Sequence, residues 1–232
     1  YTVLIPNKMN VYPEYLPRNI VQKQKESSYD QLMALNSDPN INMIGVKDNL
    51  LKHKKDGHLL FQKTDDHWND YGAFFGYQKI MEELSKDFPE LKPQPVGNYA
   101  ISISDKVGNM ANTISIADIY PEHYVKLSLK EESKSIYGAK KGYKTNGVVS
   151  QNELETVYVN VDGEPLKCLI IRDSFTFAMM KYFNEHFRSI VYFHDEWKAR
   201  LRKDIIEIEK PDIVIVIALE THFYHLLTNL SF

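Results

Sequence analysis

Three apolar runs in the last third of the chain, LKCLII (166–171), SIVYFH (189–194) and DIVIVIAL (212–219), constrain the fold most strongly. A strand with one wet face alternates apolar and polar residues, whereas a run apolar at nearly every position is covered on both faces. Between these runs lie FTFAMMKYFNEHF (175–187) and EWKARLRKDIIEIEK (196–210), both with helical spacing. Buried strands alternating with helices predict a mainly parallel sheet between two helical layers, an α/β three-layer sandwich.

The N-terminal half continues the alternation. TVLIP (2–6) and INMIGV (41–46) read as strands. Between them Ile20, Tyr29, Leu32, Met33 and Leu35 fall on one helical face before the Asn36–Asn40 turn cluster, and a short helix is expected over Asn49–Lys55. LLFQ (59–62) leads into KTDDHWNDYG (63–72), followed by a helix in which Phe74, Tyr77, Ile80, Met81 and Leu84 share one side. Asn69 or Asp70 would cap it, because a short polar side chain accepts from the free amides of a first helical turn. Asp65-Asp66-His67-Trp68 is therefore placed in a strand-to-helix loop. From about 88 to 160 the texture becomes short and polar, and an irregular, partly β insertion is expected within one domain spanning 1–232.

Composition narrows the function classes. With 232 residues and 43% hydrophobic content the chain can bury one substantial core. A net charge of −3, with both signs interspersed, argues against nucleic acid as a partner. The single cysteine, Cys168, lies inside an apolar run and reads as a buried small hydrophobe. The lysine-rich Lys52–Lys55 and Lys140–Lys144 stretches read as solvated loops. No stretch approaches the roughly 18 apolar residues of a membrane span, and because the chain opens mid-strand at YTVLIP the lack of one here says little about anchoring.

Two loops carry the chemistry-bearing residues. In RDSF (172–175), Ser174 falls where a buried strand turns into a helix. Such a turn exposes a hydroxyl and aims backbone amides at a developing oxyanion; the plainer reading is that Asp173 or Ser174 only caps the helix. In the other loop, the spacing Asp65-x-His67 on extended backbone sets carboxylate and imidazole on one side and turns Asp66 away. That pair could activate a serine hydroxyl, which needs a base and a carboxylate to orient it. Trp68 would pack beneath the loop. A rival metal site would join Asp65, Asp66 and His67 with His222 and His225, although the spacing matches no established hydrolytic metal motif. His53, His58, His123, His186 and His194 are isolated and read as surface or packing residues.

TDDHWNDYGA (64–73) combined with LIIRDSF (169–175) and KPDIVIVIALE (210–220), and led by IPNKMNVYPEYLP (5–17), resembles the DHHW-type SGNH-hydrolase-like family. That family includes the alginate O-acetylation proteins AlgJ and AlgX and the Gram-positive PatB-type O-acetyltransferases. The resemblance implies an SGNH-hydrolase-like fold with permuted motif order and a triad of Asp65, His67 and Ser174. Arg172 stands where the family block has glycine. The backbone amide of Ser174 is the one oxyanion donor the motif supplies, with Gly108, Asn109, Asn146 and Gly147 as candidate additions. Glu220 ends the last strand and could line the site, although a strand-end carboxylate facing solvent is the plainer reading.

The activity implied is transfer of an acetyl group through a serine acyl-enzyme to a bacterial cell-wall polysaccharide, with no cofactor and no metal. The chain's lysine, asparagine and tyrosine content favours the PatB-type branch, with secondary cell-wall polysaccharide or peptidoglycan as acceptor. The resemblance also implies an extracytoplasmic, membrane-anchored location and a membrane-bound acyltransferase partner supplying acetyl. A carbohydrate acetylesterase and a non-catalytic glycan-binding scaffold would use the same residues.

Overall fold

The computed structural model of the chain describes residues 1–20, 24–34, 42–120, 122–143, 154–195 and 201–223. Its centre is a seven-stranded mixed sheet. In chain order the strands of this sheet and the helices begin with β1 (Thr2–Ile5), α1 (Lys8–Val11), α2 (Ser28–Ala34), β2 (Met43–Gly45), α3 (Lys47–His53) and α4 (Asp70–Asp87). A two-stranded antiparallel excursion comes next, β3 (Tyr99–Lys106) and β4 (Glu122–Leu129), with the short α5 (Asn109–Thr113) between them. The chain then returns as β5 (Ile136–Tyr137), β6 (Glu155–Val159), β7 (Glu164–Arg172), α6 (Phe177–Phe183), β8 (Phe187–His194), α7 (Lys203–Glu209) and β9 (Ile213–Leu219).

The sheet order is β2-β1-β9-β7-β8-β6-β5. The strands from β2 to β8 run parallel, and β6 and β5 add antiparallel at the β8 edge. The α/β reading therefore holds. Strands β5 and β6, from the stretch expected to be an irregular, partly β insertion, extend the main sheet, because Thr156, Val157 and Tyr158 pair with Tyr192, Val191 and Ile190.

Alternation along β7 explains why both faces are covered. Cys168 and Ile170 point into the cluster containing Phe74, Tyr77, Met179 and Phe183, while Leu169 and Ile171 join Tyr29, Phe193 and Ile205 on the other face. Phe74, Ile80, Met81 and Leu84 of α4 are fully buried. Removing each such side chain from water contributes about 1.5–3 kcal/mol. Cys168 is buried as expected, and burial pushes its thiol well above the ordinary range.

Several boundaries differ from the sequence reading for local reasons. Helix α3 covers Lys47–His53 rather than Asn49–Lys55. Ile20 is exposed and lies outside α2, and Leu35 and the Asn36–Asn40 cluster fall outside the described residues. LLFQ is not a sheet strand, because only Phe61 forms a bridge, to Trp68 in its own return segment. Helix α4 begins as expected, with the Asn69 side chain accepting from the Gly72 amide at 3.0 Å. It stops before Pro89, whose ring disfavours helical backbone at Phe88. Of the 196–210 helix, Lys203–Glu209 is described, ending at a left-handed Lys210 (φ 47°) ahead of Pro211.

Candidate active site

The two loops singled out in the sequence meet at the C-terminal ends of the parallel strands, where open α/β sheets assemble their sites. Ser174 directly follows β7 and Asp173. In RDSF the capping and the exposed hydroxyl fall to different residues. Asp173 is the cap, its Oδ1 accepting from the Phe175 amide at 3.0 Å, and the Ser174 hydroxyl faces the other loop. Asp173 also accepts through Oδ2 from the Leu219 amide at 2.7 Å and faces His222 Nδ1 at 2.8 Å. The serine turn is thereby tied to the end of β9.

His67 lies between the two candidate partners. Its Nδ1 is 2.7 Å from Asp65 Oδ1 and its Nε2 is 2.8 Å from Ser174 Oγ, across 107 positions of sequence. Asp65 is 3% exposed. It accepts the His67 backbone amide at 3.0 Å and the Asn109 amide at 2.9 Å. Burial opposes its ionisation, but the hydrogen bonds from the His67 ring, the Asn109 amide and the His67 amide outweigh that and hold the carboxyl well below the usual range. Burial likewise pulls the His67 imidazole down, while the carboxylates of Asp65 and Asp66 push it up, to about 9.

Asp66 does not turn away. Its Oδ1 lies 3.0 Å from His67 Nδ1, with the side chain half exposed. The expectation assumed extended backbone, whereas residues 63–67 form a bend closed by Gln62 N–H donating to His67 O at 3.1 Å and Asn69 N–H to Leu60 O at 3.0 Å. Trp68 packs beneath the loop as read, 1% exposed, with its indole N–H donating to Phe175 O at 2.8 Å. Phe175 also faces His67, with ring centroids 4.6 Å apart.

Other candidates are redistributed. The amides of Gly108 and Asn109 are committed to the His67 loop, donating to Thr64 Oγ1 at 3.1 Å and to Asp65, and so orient the acid instead of facing an oxyanion. Gly108 is required by close approach, since a Cβ there would meet Thr64 O at 2.2 Å. Asn146, Gly147 and His225 lie outside the described residues. Asp65, Asp66 and His67 present donor atoms within 4.8 Å of one another, but His222 of the rival metal set pairs with Asp173. Arg172 is buried with its guanidinium 3.8 Å from the centre of the Phe177 ring.

Glu220 corrects the solvent-facing reading. It is 3% exposed and accepts from the Asn7 amide and Asn10 Nδ2, both at 2.5 Å. The isolated histidines take packing or surface places. His186 is buried beside Tyr77 Oη at 2.5 Å, with burial lowering it to about 4. His53 stacks on Phe75, His58 and His194 contact Tyr71 and Phe177 edge-on, and His123 pairs with Asp105 at the surface. In the lysine-rich stretches Lys54 pairs with Glu14 and Lys141 with Glu209.

Sequence reasoning missed four residues that hold the His67 loop, namely Lys8, Glu122, Met110 and Ala111. The Lys8 ammonium donates to the carbonyls of Gln62, Lys63 and Asp65. Glu122, 2% exposed, accepts from the amides of Lys63 and Thr64 and from Thr64 Oγ1. Thr64 O receives the amides of Met110 and Ala111 at 3.1 and 3.3 Å. Such contacts use backbone groups, which leave no residue-type signature in a sequence.

Among the described residues no helix is long and apolar enough to cross a membrane. No curated protein matches the chain. Solved structures do. PatB1 of Bacillus cereus, in a structure with a sulfonyl adduct, is 20% identical with a TM-score of 0.65, over 95% of this chain and 80% of that one. A DHHW family protein from Eubacterium siraeum is 15% identical with a TM-score of 0.70, over 97% and 78%. The O-acetyltransferase domain of Pseudomonas putida AlgJ is 16% identical with a TM-score of 0.61, over 99% and 78%. At these identities the likeness establishes a common fold. A family model described as SGNH hydrolase-like domain, acetyltransferase AlgX, matches residues 1–139, which include Asp65 and His67. That match spans more than half of the 232 residues, and the chain belongs to this SGNH hydrolase-like acetyltransferase family.

Proposed function

We propose that the protein is an O-acetyltransferase that carries acetyl on Ser174 and delivers it to a hydroxyl of a bacterial cell-wall polysaccharide, either secondary cell-wall polysaccharide or peptidoglycan. The observation that carries this reading is His67, hydrogen-bonded through one ring nitrogen to Asp65 and through the other to Ser174. His67 takes the Ser174 proton as Oγ attacks the acetyl carbonyl, then passes it to the departing donor group. The acetyl-enzyme is resolved in reverse: His67 deprotonates a sugar hydroxyl, the new ester forms, and the proton returns to Ser174. The Ser174 amide serves the oxyanion, the Phe175 amide being engaged by Asp173. The chain works outside the cytoplasm, anchored to the membrane, and receives acetyl from a membrane-bound acyltransferase partner. It requires no cofactor and no metal.

The test incubates candidate wall glycans with an activated acetyl ester and the protein, and tracks acetylated sugar and free acetate by mass spectrometry. Acetylated glycan with the parent chain and none with Ser174→Ala is the expected result. Acetate alone would reassign the chain to the esterases, and transfer surviving Ser174→Ala would remove the serine from the mechanism.

The raised imidazole sets a pH dependence. The base works only when neutral, so below its pKa the active fraction falls about tenfold per pH unit. The acid limb of kcat/KM for an aryl acetate is expected near pH 9 rather than at the ordinary imidazole value of 6.5. Asp66→Asn should move this limb downward, because one of the two carboxylates that favour the imidazolium is gone. A limb at the ordinary imidazole pH in the parent, or one unmoved by Asp66→Asn, would contradict the assignment.

A further inference from the structure

We propose that Lys8 is a positioning residue for this site, a tethered cation that holds the Asp65–His67 loop against Ser174. The inference rests on the triad reading above and adds a residue to it. An ammonium has three N–H donors and no acceptor. Those of Lys8 go to three carbonyl oxygens of one short loop, Gln62, Lys63 (3.0 Å) and Asp65 (3.0 Å). With its donors so engaged, the side chain is a holder of the loop rather than a ligand for substrate. Carbonyl dipoles converging on one point repel each other unless a cation lies among them, so the bend that brings Asp65 and His67 together depends on this charge. Burial lowers the Lys8 ammonium, and the nearby carboxylates of Glu122, Asp65 and Asp66 offset that only in part.

The loop is gripped from both sides. Lys8 holds its carbonyls, and Glu122 takes the amides of Lys63 and Thr64. Lys8 is itself placed by the end of β9. Glu220 receives the Asn7 amide and Asn10 Nδ2, fixing α1, whose Val11 is fully buried. The hydroxyl of the next residue, Tyr12, accepts from the Leu60 amide at 3.0 Å. The residue before Glu220, Leu219, donates its amide to Asp173 next to the serine. Consecutive residues of one strand end thus reference both halves of the site, Ser174 through Asp173 and His67 through α1 and Lys8. Catalytic geometry tolerates a displacement of about 0.5 Å, and about 1 Å can cost roughly a hundredfold in rate.

The test compares the parent, Lys8→Met, Lys8→Ala and Ser174→Ala, using aryl acetate turnover, the rate of Ser174 labelling by phenylmethanesulfonyl fluoride, and circular dichroism. Lys8→Met is expected to lower kcat about 10- to 100-fold with KM within about twofold, and to slow labelling in the same proportion. Methylammonium should restore Lys8→Ala at least about tenfold, by placing a free cation among the carbonyls, and should not restore Lys8→Met, whose side chain fills the space. A rise in KM with kcat unchanged, or failure of methylammonium to restore Lys8→Ala, overturns the proposal. Should Lys8→Met not fold, Lys8→Ala prepared in methylammonium carries the test. Activity lost on dialysis with the circular dichroism unchanged supports it, and activity lost together with the fold overturns it. Parent-like turnover in Ser174→Ala would sink the triad reading itself. An inactive Ser174→Ala beside a parent-like Lys8→Met would sink only the role of Lys8.

Discussion

Alanine at His67 is expected to lower acetyl turnover by roughly four to six orders of magnitude, and adding Ser174→Ala to it should cost almost nothing more. The reason is the single hydrogen bond of 2.8 Å between His67 Nε2 and Ser174 Oγ. A serine hydroxyl is a weak nucleophile until its proton has somewhere to go, and an imidazole with no hydroxyl to activate does nothing. Groups that act as one unit show losses that do not add. The measurement is kcat for an aryl acetate in the two single variants and the double. Losses that multiplied in the double variant would mean that the two residues work independently, and the acyl-enzyme scheme would fall. His67 is partly exposed at the surface of the loop, so the fold is expected to survive its replacement.

The second large effect separates two neighbouring aspartates. Asp65→Asn is expected to lower turnover about 10³- to 10⁴-fold, whereas Asp66→Asn should lose less than about tenfold at any pH on the plateau. Both carboxylates approach His67 Nδ1, Asp65 at 2.7 Å and Asp66 at 3.0 Å, so distance alone does not separate them. Their surroundings do. Asp65 is buried and is itself held by the amides of His67 and Asn109, which fixes its direction and keeps it ionised. Asp66 is half exposed, where solvent screens its charge and leaves its direction loosely defined. An asparagine at 65 can offer Nδ1 an N–H instead of an acceptor, which moves the imidazole proton to Nε2 and leaves no lone pair for the serine. Equal losses in the two variants would transfer the orienting role to the pair, or to Asp66.

Much of the site is legible in the chain without its fold. β7 reads as doubly buried, and the residues after a buried parallel strand lie at the functional end of the sheet, so Ser174 is locatable from sequence. The Asp-x-His spacing is local and announces a carboxylate–imidazole pair without any tertiary information. The misreadings all depend on backbone shape. Asp66 turns away only on an extended strand, and the bend closed between Gln62 and His67 brings it back. Glu220 reads as solvent-facing because strand ends commonly are, but α1 covers it. Gly108 and Asn109, two of four open candidates for a further oxyanion donor, have their amides engaged by Thr64 and Asp65 instead.

Lys8 and Glu122 cannot be found by residue pattern at all. Lys8 reaches carbonyls 54 to 57 positions away, and Glu122 reaches amides 58 and 59 positions back. Every residue carries such groups, so no composition or spacing marks the ones that will be used. Sequence alone determined the layered α/β class, because apolar periodicity is a local consequence of which faces are buried. It also determined which residues have the chemistry for a triad. The tertiary structure alone decided that the locally paired Asp65 and His67 meet Ser174 within hydrogen-bonding distance. That meeting depends on backbone contacts across the sheet ends, whose partners are set by the fold and not by side-chain identity.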